Sequence, residues 1–141
     1  ATACARADWL AETPVLGELP WASLLDLALE FEPRALTAGE RLFTSGEPGY
    51  EGYVLIEGAV RFSTADGLVV DELQQPGRLF GYRAALYGSC HRLTACAAAP
   101  TVVWALPAPA LERLNLLYPQ LLMHLRALGG PPDSPGAGDV R

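Results

Sequence analysis

Between residues 39 and 81 the chain returns to glycine eight times, at Gly39, Gly46, Gly49, Gly52, Gly58, Gly67, Gly77 and Gly81. Glycine enters the positive-φ region without a Cβ clash, so glycines at this spacing cut a chain into short pieces joined by tight turns and bulges. The pieces left between them are β-type runs, at 34–37, 41–44, 53–57, 60–63, 68–73 and 79–80, with two more at 93–98 and 101–106. Asp66 followed by Gly67, set between two such runs, is a hairpin signal. About eight short strands separated by turns predict a mainly β fold, an antiparallel β-roll or jelly-roll. No strand alternates with a long helix, which argues against a parallel α/β sheet.

Helical periodicity is confined to the flanks. Trp21, Leu24, Leu25 and Ala28 follow helical spacing, with Leu27 and Phe31 widening the apolar face, and Pro20 and Pro33 bounding the segment. After Leu106, Pro107 and Pro109 open a second helical stretch in which Leu111, Leu114 and Tyr118 share a face. Pro119 breaks it, and Leu121, Leu122, Leu125 and Leu128 continue as a further helix that Gly129 and Gly130 stop. The fold expected is thus a β-roll with an N-terminal helix and a C-terminal helix pair. Residues 1–19 read as a lead-in of short apolar pieces, 20–128 as the domain, and 129–141, rich in Pro and Gly, as a flexible linker or tail.

The 141 residues allow one hydrophobic core, and half of them are hydrophobic, so the chain is expected to be globular. No apolar run reaches the roughly 20 residues that cross a bilayer, and no export signal is visible, so a cytoplasmic location is expected. The formal net charge is −6, Lys is absent, and ten Arg are spread thinly from Arg6 to Arg141. A surface that binds nucleic acid needs clustered cations, so direct nucleic-acid binding is not expected. Cys4, Cys90 and Cys96 are odd in number and irregularly spaced, which argues against a disulfide framework. Cys90, His91 and Cys96 have donors that suit zinc, but Cys96 lies in an apolar run where a small core thiol is the simpler reading, and only His124 is left as a further imidazole; no metal site is expected. Nor is an enzyme. Asp71 and Glu72 are adjacent on a strand and face opposite ways, and no nucleophile–base pair appears.

Several motifs, in order and spacing, resemble the cyclic-nucleotide-binding domain family. LTAGERLFTSGE (36–47) is similar to the family's opening G-e-x-l-f-x-x-G-d stretch, and YVLIEGAVR (53–61) to its next hairpin. Phe80 and Gly81, followed by Ala84, Ala85 and Leu86, resemble the start of its phosphate-binding cassette, and VVWALP (102–107) its last strand. The likeness covers roughly residues 20–128. It implies a catabolite-activator-like β-roll whose cassette holds a cyclic phosphate through an Arg and the N–H groups of a short helix.

Carried onto this sequence, the resemblance makes Gly81, Tyr82, Arg83 and Ala84 the start of the cassette. Arg92 becomes the anion-facing residue, and Thr94 a hydroxyl beside it, with Ser89 a second. The residue-level alternative for Arg92 is a surface side chain at a strand start. Tyr82 stands where the family has a Glu that accepts from a ribose hydroxyl. Losing such a charge-assisted bond costs about 1.5–3 kcal/mol. Arg83 occupies a usually apolar position, and Leu93 replaces a common serine. Two functions remain open: a sensor of a cyclic nucleotide or other small anionic ligand, or a degenerate module that mediates dimerisation or docking through its C-terminal helices. Either implies an output domain beyond Arg141, of CBS, nucleotidyltransferase-like or helix-turn-helix type, in a larger signalling protein.

Overall fold

The computed structural model describes residues 2–13, 16–121 and 123. Its centre is a roll of two four-stranded antiparallel sheets. The first sheet runs in the order β1 (Glu32–Leu36), β8 (Thr101–Pro107), β3 (Glu51–Glu57), β6 (Leu79–Phe80). The second runs β2 (Arg41–Phe43), β7 (Thr94–Ala97), β4 (Val60–Ser63), β5 (Val69–Leu73). The eight short antiparallel strands expected from the sequence are all present, within one or two residues of their expected ends.

Side chains alternate across a strand, and the first sheet buries both alternations. Tyr53, Leu55, Phe80, Val103 and Ala105 face inward and join Phe43, Val60 and Phe62 from the second sheet in the core of the roll. Val54, Leu79, Trp104 and Leu106 face outward into a second core, closed over by helices. The second sheet has one wet face. Ala95 and Ala97 fill the roll, whereas Cys96 between them points outward, half-buried, opposite Arg41 on one neighbour and Arg61 on the other. The apolar run 93–98 therefore does not make Cys96 a core thiol, because the pleat turns it away from the alanines on either side.

The outer core is covered by α1 (Ala3–Ala11), a 3-10 turn at Leu16–Glu18, α2 (Trp21–Glu30) and α4 (Ala108–Leu117). α1 lies inside the stretch expected only as a lead-in. Its buried face is just Ala7 and Leu10, too small to announce a helix by periodicity. Its hold is tertiary. Arg6 donates to the carbonyls of Ala28 (3.2 Å) and Phe31 (3.1 Å) at the end of α2, and its guanidinium lies 5.3 Å from the Trp104 ring centre. α2 buries Leu24, Leu27 and Ala28, while Trp21, read from spacing as part of that face, is exposed. α4 buries Ala110, Leu111 and Leu114, and the Tyr118 hydroxyl at its end pairs with Ser23 at 2.6 Å. The expected helix running to Leu128 lies outside the described residues at 122 and beyond 123, as does the 129–141 linker. Among the described residues no helix is long and apolar enough to cross a membrane.

Candidate functional site

The short helix α3 (Tyr82–Tyr87) follows β6 through Gly81, which adopts φ 67° and ψ 9°. That left-handed conformation suits glycine, and the space allows nothing larger: a Cβ there would stand 2.9 Å from Phe43 and 3.1 Å from Tyr53. Gly81 thus lets the chain turn off the inner strand directly over two aromatic rings. α3 lies against the start of β3 and the residues leading into it. A Cβ on Gly52 would come 2.9 Å from the Cβ of Tyr82, and one on Gly49 would meet Ala84 at 2.4 Å. Of the eight glycines in the recurring set, six take positive φ, and these two serve close approach of the helix instead.

Tyr82, the residue in place of the family's Glu, is 0% exposed and packs in the outer core with Leu106, Leu111 and Leu114. Arg83 is half-buried, and Ala84 is buried beneath Gly49. From the end of α3, marked by a second left-handed glycine, Gly88, the chain returns along the loop that leads out of β2. Main-chain bonds pin the two segments: Gly49 N–H to the Ser89 carbonyl (3.2 Å), Gly46 N–H to the His91 carbonyl (2.8 Å), and His91 N–H to the Glu47 carbonyl (2.8 Å). Ser45 completes the seam, its N–H donating to Thr94 Oγ1 (3.0 Å) and its hydroxyl to the Arg92 carbonyl (3.1 Å). Arg92 itself is exposed; Thr94 is buried and already accepts one bond.

Five rings run from this seam into the roll. His91 lies face to face on Phe43, with centroids 3.7 Å apart and planes 11° from parallel. Phe43 stacks on Tyr53 at 5.8 Å, Tyr53 tilts against Phe80 at 5.6 Å, and Phe80 meets Phe62 edge-on at 5.7 Å. Phe43 therefore touches both the start of α3 and the loop that carries Arg92. The beginning and end of the expected cassette, eleven positions apart in sequence from Gly81 to Arg92, are gathered round one ring.

At the same end of the inner wall stands a charged chain. Tyr53 donates its hydroxyl to Glu51 (2.9 Å), and Arg34 grips Glu51 with both Nη groups and bonds Glu32 at 2.8 Å. Burial holds the Tyr53 phenol well above its ordinary pKa, with the Glu51 carboxylate adding to the effect. The Glu51 bond likewise raises the Arg34 guanidinium above its usual value. The pair is half in water, with side-chain exposures of 36% and 21%, so it fixes the rim geometry more than it stabilises the fold. By contrast Asp71 and Glu72 lie on an exposed strand. There Asp71 accepts the Glu72 N–H (2.8 Å) and Glu72 pairs with Arg61 (3.3 Å).

Residues 33–115 match the cyclic nucleotide-binding domain family over more than half of the chain. The chain belongs to that family. Among curated proteins, this cyclic nucleotide-binding domain is 29% identical over 128 residues to a cyclic nucleotide-gated potassium channel of Rhizobium etli, covering 87% of this chain and 35% of the channel. It is 28% identical over 102 residues to the cAMP-dependent protein kinase regulatory subunit of Yarrowia lipolytica, covering 72% of this chain and 27% of that subunit. The chain thus spans about a third or less of the length of these relatives. Among solved structures, the sensor domain of the transcriptional regulator DNR from Pseudomonas aeruginosa superposes with a TM-score of 0.74 at 21% identity, covering 89% of this chain and 87% of that one. That likeness shows the fold.

Of the residues expected at a ligand site, Tyr82, Arg83 and Ala84 lie on α3, Gly81 just before it, Arg92 on the pinned loop and Thr94 at the start of β7. The sequence did not single out Phe43, Tyr53, Glu51 and Arg34, nor His91 as a ring partner. Phe43 and Tyr53 fell within runs read as strands, but which rings meet depends on the pairing of strands far apart in sequence.

Proposed function

We propose that this cyclic nucleotide-binding domain is the sensory module of a larger regulatory protein. It takes a small anionic ligand of the cyclic-nucleotide class between α3 and the 91–94 segment, and passes occupancy to its neighbours through α4. The observation that supports this reading is that Gly81 and His91 both lie against Phe43, so that the residue before α3 and the residue before Arg92 meet one ring. A guanidinium and the main-chain N–H groups of a helix start suit phosphate oxygens. The relatives' names, a nucleotide-gated channel and a kinase regulatory subunit, support a regulatory role within a longer chain.

A second reading, a module that docks without a ligand, is favoured by one observation. Tyr82 has left the rim altogether for the outer core, so the carboxylate expected by the family has no counterpart at that position. Exposed Leu116 and Leu117 on α4, beside a cavity of about 490 Å³ lined by Glu18, Leu19 and residues 117–121, offer an apolar surface for that role.

Calorimetry separates the two. Wild type and Arg92→Ala are titrated with cAMP, cGMP, AMP and ATP. The sensor reading expects a cyclic nucleotide to bind and Arg92→Ala to weaken it by about tenfold or more. Absence of heat with every nucleotide, together with dimerisation that grows with concentration, favours docking.

A further inference from the structure

On the outer face of the first sheet, one charged side chain is left short of partners. Arg6 is half-buried, and no carboxylate pairs with it among the described residues, although the chain carries 16 acidic residues. Its bonds to the carbonyls of Ala28 and Phe31 both come from Nη1. A guanidinium presents its N–H donors in a planar fork, so the side formed by Nε and Nη2 is left over, and the buried Nε has no hydrogen-bond partner. The end of α2 and the face of Trp104 meet the charge with dipoles, not with an anion. Beside Arg6 lies a cleft of about 200 Å³ between α1 and the sheet, lined by Ala5, Arg6, Trp9, Ile56 and Trp104. An apolar cavity of roughly 150 Å³ holds a benzene ring, so this one has room for a single aromatic ring and a short substituent. Its two indoles meet edge-on, with centroids 5.4 Å apart. A bulge sets Ile56 in the wall: the pairing of β3 with β8 steps from Leu55 opposite Val103 to Glu57 opposite Val102, and Ile56 has no cross-strand partner.

We propose that this cleft is a second ligand site, on the opposite face of the sheet from the rim, and that it takes a small aromatic carboxylate. The ring enters among Trp9, Ile56 and Trp104, and the carboxylate meets the side of the Arg6 guanidinium that the carbonyls leave over. The walls set the ring class, because indoles favour an aromatic guest in edge or offset contact over an aliphatic chain of similar size. Arg6 sets the sign of the charge, because it has no counter-ion of its own and a carboxylate matches its fork. Three of the five lining residues belong to α1, whose buried face is only Ala7 and Leu10. A ligand that bridges α1 to the sheet therefore strengthens the hold on a thinly anchored helix. This goes beyond the sensor reading and does not depend on it.

The test titrates wild type with phenylacetate, with its neutral amide and with hexanoate, followed by tryptophan emission, since two of the three tryptophans of the chain line the cleft. Phenylacetate is expected to bind about tenfold more tightly than either of the others, and to raise the melting temperature. Two variants locate it. Ala5→Phe places a ring in the cleft from an exposed position on α1, and is expected to abolish phenylacetate binding while the protein still melts cooperatively. Arg6→Gln removes the charge, and is expected to bring phenylacetate down to the affinity of the amide. Should Arg6→Gln fail to fold, the comparison of acid with amide on wild type decides the charge and Ala5→Phe decides the place. No binding of phenylacetate at millimolar concentration, equal affinity for acid and amide, or binding that Ala5→Phe leaves intact overturns the proposal. Hexanoate binding as tightly as phenylacetate overturns the aromatic class.

Discussion

The two faces of the first sheet teach different things although they share the same strands. On β3, Gly52, Val54 and Ile56 look outward and Glu51, Tyr53 and Leu55 look inward. The outer face meets helices and is packed by leucine, alanine and tryptophan, with Tyr82 as its largest fully buried side chain. The inner face meets a sheet and ends, near α3, in stacked rings and an ion pair. Closing an outer core takes volume and shape; keeping a rim at which a ligand can be recognised takes polar groups whose positions are fixed by other polar groups. One sheet serves both because alternation keeps the two chemistries one residue apart.

Substitutions that act on one face and spare the other test that division. The largest effect is expected from Tyr82→Ala, which empties a fully buried aromatic site of the outer core and should cost about 3–5 kcal/mol in chemical denaturation. A loss below about 1 kcal/mol would place Tyr82 at the rim instead. Next comes Gly52→Ala, whose methyl group meets Tyr82; α3 must shift, at a cost of about 1–3 kcal/mol. Since α3 forms half the rim, nucleotide affinity should fall in step with stability, whereas an unchanged affinity would uncouple the faces.

On the inner side, Glu51→Gln keeps the shape but removes the charge that Arg34 and Tyr53 share. It is expected to cost about 1–2 kcal/mol, reduced from a fully buried value because the pair is half in water. The same chain predicts alkaline behaviour. The folded state holds the Tyr53 proton above the pKa of the unfolded chain, near 10.0, so stability is complete below that pH and falls as pH rises beyond it. The slope from this group is about 1.4 kcal/mol per pH unit. In Tyr53→Phe the share of that slope due to Tyr53 should vanish in melts between pH 9 and 11. The smallest effect belongs to the surface: Arg113→Ala breaks only an exposed pair with Glu30 (2.7 Å) and should cost less than about 0.5 kcal/mol.

How much of this could be read from the sequence depended on the range of the interaction. The glycine spacing marked the strands because turn geometry is local, and α4 was announced by Leu111 and Leu114 together with its opening prolines. α1 was not, because Ala7 and Leu10 make too thin a stripe and Arg6 anchors it to carbonyls more than twenty residues away. Gly49 and Gly52 were visible as glycines, yet their purpose needed α3 to be seen lying over them. Near the candidate site, the sequence pointed to residues adjacent to a recognisable motif and not to those brought in by strand pairing. Tyr82 stood out as a departure from the motif, but the direction of its side chain followed from the helix facing Leu111, which no motif contains.

The seam that ties residues 45–49 to 89–94 is made largely of main-chain bonds, with side-chain help from Ser45 and Thr94. A path specified by amides is indifferent to what the intervening side chains are. Positions 90 and 92, both exposed, can therefore be rewritten without breaking these main-chain bonds, which alters what the loop displays. In such a domain, descent with altered ligand preference needs no detour through unstable ancestors: the frame is inherited whole, and recognition can drift upon it.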